Sequence, residues 1–394
     1  MTAEEILPWL RLARLPGVGP ILAGRLLTAL GSPAAILDAH PARLAEIEGI
    51  GPRTASAIAS AAKATLADAQ REFDAAINAG FTLLPLHDPR YPAALRTITD
   101  PPLVLYVRGK LLPADALAIG VVGARQCTLY GRETAGKFGR ALAEQNITVI
   151  SGGARGIDTC AHEGALLAAG RTIVVQGCGL LHTYPPENKK LYDRIVAENA
   201  GAILSDFPLD TPPLKENFPP RNRIIAGMSL GVLVVEANLR SGSLITARLA
   251  AADYGREVFA VPGRIDSPAS AGTHHLIKSG TAVLVESVED ILDNLGEVGA
   301  ALRKHTVPPP APSVPAASES SLPLLQTQPA PQIPALTPIQ HQILQAIAPA
   351  GSTIDEMLDA TGLSAGVIMA ELTMLQLAGA VGRTSTNRFT RARA

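Results

Sequence analysis

Residues 147–179 read ITVISGGARGIDTCAHEGALLAAGRTIVVQGCG. A short apolar run ends in Ser-Gly-Gly, a helical stretch follows (CAHEGALLAAG), and a second apolar run ends in Gly-Cys-Gly. The same texture extends in both directions. Upstream lie the extended stretch LVLYVRG, the apolar run ALAIGVVGA and the helical YGRETAGKFGRALAEQ; downstream come GAILSDF, LGVLVVEA and EVFAVPG. Short continuous apolar runs alternating with helices of about 10–15 residues are the pattern of strands buried on both faces of a parallel sheet. The chain is therefore expected to contain an α/β domain with a doubly wound, mostly parallel, Rossmann-like sheet.

The chain has 394 residues, 47% hydrophobic and 18% charged, which is the composition of a folded protein of two to four domains. The formal net charge is −1, so any anion site has to be a local patch and not a property of the whole surface. Three cysteines, Cys127, Cys160 and Cys178, lack CxxC spacing and argue against a disulfide framework. With no leader-like start and no long uncharged apolar run, a cytoplasmic protein without a membrane association is expected.

Four parts are expected from composition. Residues 1–80 are helical and contain LPGVGPILAGRLL (15–27) and IEGIGPRTASAI (47–58), each a Gly-x-Gly turn followed by a helix with Pro20 or Pro52 in its first turn. These resemble helix-hairpin-helix motifs, in which the glycine turn offers backbone N–H groups to a phosphate; tight turns in a small bundle that touches no DNA account for them equally well. Residues 81–300 carry the sheet. Residues 301–335 are a Pro-rich linker, and 336–394 have three short helices and a hairpin, the outline of a winged helix. Basic residues of that last part gather in its tail (Arg383, Arg388, Arg391, Arg393), so its third helix is poor in phosphate-binding charge. The terminal parts are left open between duplex DNA and protein contact.

In an open parallel sheet, ligands sit beyond the carboxyl ends of the strands. There the chain places Arg125 after the first parallel strand, and Gly152, Gly153, Gly156 and Arg155 after the second, glycines that let a backbone approach a ligand closely. Ser241, Gly242 and Ser243 precede a helix expected near Leu244, Lys278 comes later, and NFPPRNRIIAG (217–227) adds Phe218, Arg221, Asn222 and Arg223 behind Lys215. One phosphate needs one glycine turn. Several turns with Arg125, Arg155, Lys215, Arg221 and Arg223 suit a row of phosphates, and Phe218 suits a stacked base. A nucleotide-processing enzyme using the same rim is the alternative, with Glu236 as its acid–base candidate. The chain has neither G-x-G-x-x-G nor G-x-x-x-x-G-K-[ST], and a structural role for Glu236, holding an arginine or a backbone turn, is the preferred reading. Asp158 and His162 read as a helix cap and a structural histidine. No metal or cofactor is expected.

Taken together and in order, VGARQCTLYG, SGGARGIDTCAH, YPPENKKLYDRI, NFPPRNRIIAG, VVEANLRSGSLITARLA, VFAVPG and GTHHLIKSG resemble the DNA processing protein A (DprA/Smf) family. The resemblance implies a non-enzymatic homodimer that binds and protects single-stranded DNA and helps load the RecA recombinase in natural transformation. It carries the family's strand-binding residues onto Arg125, Gly152, Arg155, Lys215, Phe218, Arg221, Asn222 and Arg223, with Ser241 and Gly242 beside them. The chain departs from the family at Gly123-Ala124-Arg125, where Gly-Ser-Arg is usual and the serine hydroxyl is lost.

Overall fold

The computed structural model describes residues 2–296, 299, 337–348, 351–377, 380–383 and 388–391. The expected linker 301–335 and Arg393 lie outside these residues. So does the side chain of Arg383.

Nine strands form one sheet: β1 (Thr82–Pro85), β2 (Val104–Gly109), β3 (Ala118–Val122), β4 (Thr148–Ser151), β5 (Thr172–Val175), β6 (Gly201–Ser205), β7 (Gly231–Val234), β8 (Glu257–Ala260) and β9 (Val283–Leu284). Their order is β1-β2-β6-β5-β4-β3-β7-β8-β9. The pairs from β6 through to β9 are parallel, while β1 and β2 are added antiparallel at one edge. The apolar runs are continuous because these strands face helices on both sides; every residue of β3, β4, β5, β6 and β7 is buried. From β3 the chain winds outward through β4, β5 and β6, then returns to β7 on the opposite flank and continues to β8 and β9. The direction of winding therefore reverses between β3 and β7, which opens a crevice beyond the strand ends.

The return connection carries the helix Phe218–Met228. Ile224, Ile225, Ala226 and Met228 bury themselves against Val122, Ile150, Ile173 and Val232 of the sheet. Each isoleucine contributes roughly 1.5–3 kcal/mol by its burial. That anchor places the first turn of the helix at the crevice.

The N-terminal helices include Pro20–Leu30 and Pro52–Asn78, each starting at the expected proline. Gly17 and Gly49 take positive φ (72° and 88°) in the turns before them, a conformation glycine adopts without strain. Met1–Ile291 is one compact unit. Within it Glu72 accepts from the Leu209 backbone N–H at 2.7 Å and pairs with Arg14 at 3.1 Å, and Trp9 stacks on His87 with centroids 5.0 Å apart.

Leu292–Ala394 is a second unit. It contains the helices Pro338–Ala346, Ile354–Thr361 and Ala365–Leu377, and a hairpin of Val381–Arg383 with Phe389–Arg391, which is a winged helix. Thr353 and Glu356 form a capping box, and Ile343, Met357, Ile368, Leu372 and Phe389 make its core. No single helix among the described residues is long and apolar enough to cross a membrane.

Candidate nucleic-acid interface

A cleft of about 640 Å³ opens at the crevice, between the segments following β3, β4 and β7 and the first turns of the helix Phe218–Met228. Helical periodicity decides which residues of NFPPRNRIIAG face it. Phe218, Arg221, Asn222 and Ile225, spaced by three and four residues, lie on one face and all line the cleft. Arg223, two positions beyond Arg221, projects about 200° around the helix. It is not brought to the cleft, contrary to the reading of the arginines as one cluster. It is buried, donates to Asp206 Oδ2 at 2.5 Å and also bonds the Asp100 carbonyl oxygen.

Arg221 is the unusual member. Its side chain is buried (4% exposed), yet no hydrogen bond or ion pair joins it to any described residue, and its Nε is an unpartnered buried donor. Burial pulls its pKa down, and the charge of nearby Asp158 only partly restores it. A buried cation without a partner costs several kcal/mol. The cost is tolerable if the site regularly receives an anion.

The room for this guanidinium comes from Gly152. A Cβ there would stand 1.9 Å from Nη1 of Arg221. Gly152 was expected to let a ligand approach; the space it frees is filled by Arg221 instead. Gly153 is likewise committed inside the protein. It takes φ +64°, its missing Cβ leaves room for the Tyr192 hydroxyl, and its carbonyl accepts from Asn188 Nδ2 and Tyr192 Oη, each at 2.9 Å.

Around Arg221 the cleft gathers the remaining groups. Arg125 and Lys215 are exposed and have no hydrogen-bond or ion-pair partner among the described residues. Arg125 lies 5.0 Å from the centroid of the Phe218 ring and Arg221 5.9 Å from it, so both cations are within reach of the ring. Arg155 also lines the cleft but is held by Glu187, one bond being Nη2 to Oε2 at 3.1 Å. Ser241, Gly242 and Ser243 form the opposite lip, where the two serine hydroxyls bond each other at 2.7 Å and Gly242 has open space around it. Lys278 is exposed at the last turn of the helix Ala271–Lys278 and does not line the cleft.

Two participants were not anticipated. Tyr184 packs beside Phe218, with ring centroids 5.4 Å apart and planes at 44°, and carries Arg155 5.9 Å from its own centroid. Its motif YPPEN is visible in the sequence, but nothing local says that it meets a phenylalanine from another crossover. Asp158 lines the cleft wall; burial pushes its carboxyl up to about 6, against the pull of Arg221. His162 is a buried core residue bonded to Thr172 Oγ1 at 2.6 Å, and burial draws its pKa down to about 3, so the ring is neutral.

Glu236 does not line the cleft. It is buried, and its two oxygens accept from the Thr128 backbone N–H at 2.8 Å and the Thr128 hydroxyl at 2.7 Å. This holds the turn that starts the helix Leu129–Glu144.

The family model described as DNA recombination-mediator protein A matches residues 82–296, that of a SAM-like helix-hairpin-helix tandem residues 10–64, and that of the DprA winged helix domain residues 327–385. Protein Smf of Escherichia coli is 49% identical over 213 residues, 54% of this chain and 56% of that protein. Protein Smf of Synechocystis is 34% identical over 403 residues, covering 99% of this chain and all of that protein. Among solved structures, DNA processing protein A from Streptococcus pneumoniae superposes with a TM-score of 0.63 at 36% identity, over 74% of this chain and 98% of that one.

Proposed function

The chain belongs to the DNA recombination-mediator protein A family, and from that premise we propose that it binds single-stranded DNA in the cleft without a catalytic step. The observation that carries this reading is the buried Arg221, which has no hydrogen-bond or ion-pair partner among the described residues and lines one cleft with Arg125, Lys215 and Phe218. Phosphates neutralise the cations, and Phe218 offers a base its face, worth roughly 1–3 kcal/mol. A duplex keeps its bases paired and cannot use the ring. The engagement of Glu236 weighs against the nucleotide-processing alternative.

The names of the relatives, which speak of DNA processing, support placing this binding in recombination or transformation. In the same proposal the chain works as a cytoplasmic homodimer that protects the strand and helps load the RecA recombinase. Its parts are residues 1–80, 81–300, 301–335 and 336–394. We assign the winged helix to protein contact: the helix Ala365–Leu377 has no lysine or arginine, Arg388 bonds Glu356, and Arg391 bonds the Gln345 carbonyl.

The test is a titration of the full chain with oligothymidylate and with a hairpin duplex across a salt series. Three phosphate contacts give a log–log slope of about −2 for the single strand. Arg125→Ala combined with Arg221→Ala should lower affinity for every sequence alike and flatten that slope. Unchanged affinity in the folded double variant, or equal affinity for duplex, refutes the reading.

A further inference from the structure

Beyond Arg125 and Arg155 lies a second recess of about 430 Å³, within the size range of small-ligand sites. Both arginines line it as well as the cleft, so they form the ridge between the two. Tyr184 lies beside Phe218 and near Arg155 of this ridge. A strand leaving the cleft across this ridge meets a recess of different chemistry. Besides Arg132 it presents Gln126, Thr159, Glu163 and Glu187. Glu187 is neutralised by Arg155. Glu163 is exposed on the helix Ile157–Leu167 and has no hydrogen-bond or ion-pair partner among the described residues.

An unpaired carboxylate repels phosphate and accepts N–H donors. Arg132 offsets its charge within the recess, so the phosphates have their excess of positive charge on the arginine ridge and the recess suits the uncharged part of a nucleotide. We propose that this recess is a second subsite that takes the base of a neighbouring nucleotide, and that Glu163 makes it favour bases with an exocyclic amino group over thymine. Cytosine offers its N4 amino donor to a carboxylate, whereas thymine turns a carbonyl oxygen toward it. The inference rests on the single-strand reading of the cleft.

The experiment compares full-chain affinities for oligodeoxycytidylate and oligothymidylate of one length, about twelve nucleotides, within the span of one single-strand-binding fold. Both are pyrimidine strands, so their stacking differs little. The wild type should prefer the cytidylate roughly five- to tenfold, the lower range for a single good base-edge contact. Glu163→Gln, at an exposed position, should bring the ratio close to one, because an amide serves both bases. Any general gain from removing a negative charge tightens both strands equally and leaves the ratio untouched. Arg221→Ala should weaken both strands alike and keep the preference. No cytidylate preference in the wild type, or a preference that survives Glu163→Gln, overturns the subsite while Arg221→Ala still weakens binding. If Arg221→Ala changes nothing, the cleft reading fails first and the subsite falls with it.

Discussion

Gly152→Ala is the perturbation that tests the cleft most directly. The new methyl carbon would stand 1.9 Å from Nη1 of Arg221 and 2.8 Å from its Cζ and Nη2. No pair of atoms tolerates such a separation, and the glycine's own φ is outside the positive region, so alanine fits the backbone. The guanidinium, the far end of a flexible side chain, has to leave. What the strand then loses is a charge-assisted hydrogen bond to phosphate, about 1.5–3 kcal/mol. This corresponds to roughly 10- to 150-fold in Kd. Fluorescence anisotropy with labelled oligothymidylate over a potassium chloride series reads both the affinity and its salt slope, which should shrink by about 0.7 for one lost contact. Circular dichroism melting checks that the fold survives. Because the two changes remove the same contact, Gly152→Ala adds little to Arg221→Ala in a double variant. A folded Gly152→Ala protein with wild-type affinity and slope refutes the placement of Arg221 against a phosphate.

Three further outcomes follow from the same geometry. Gly242→Ala meets no protein atom within 4 Å, so thermal stability should hold, and a fall in strand affinity of about tenfold or less would place ligand backbone against that lip. Asp158, raised by burial from 3.8 to about 6, gives the fold a contribution that is complete below its unfolded value and is lost as pH rises through about 6. Protonating it also leaves Arg221 uncompensated, so strand binding should tighten between about pH 7 and pH 5, and Asp158→Asn should flatten that profile. Arg223→Met strands Asp206 and frees the Asp100 carbonyl, which should cost about 3–5 kcal/mol in urea denaturation and leave the salt slope of any folded protein unchanged.

Much of the architecture was legible because it is written locally. An apolar run such as TIVV or GVLV has no polar face, so it has to be covered twice, and the glycines after it mark the rim where a ligand can sit. Pro20 and Pro52 open their helices, since such a signal acts within one turn. The preferred structural role for Glu236 was sound for the same reason: an acid at the end of a buried strand meets the backbone donors of the adjoining turn. The site was only partly legible. The residue types were visible, but which of them face solvent, which face each other and which are neutralised depends on partners from elsewhere in the chain.

Arg221 and Arg223 make the division plain. The sequence by itself determined a parallel sheet, glycine turns at its rim and a helix beginning with two arginines one residue apart. Only the tertiary structure decided that one arginine finds Asp206 and becomes part of the core, while the other fills the gap at Gly152 and has no hydrogen-bond or ion-pair partner among the described residues. The physical reason is that helical and strand preferences are settled over a few neighbouring residues. The charge state and freedom of a buried side chain are settled by whichever carboxylates, carbonyls and empty spaces packing brings within a few ångströms of it.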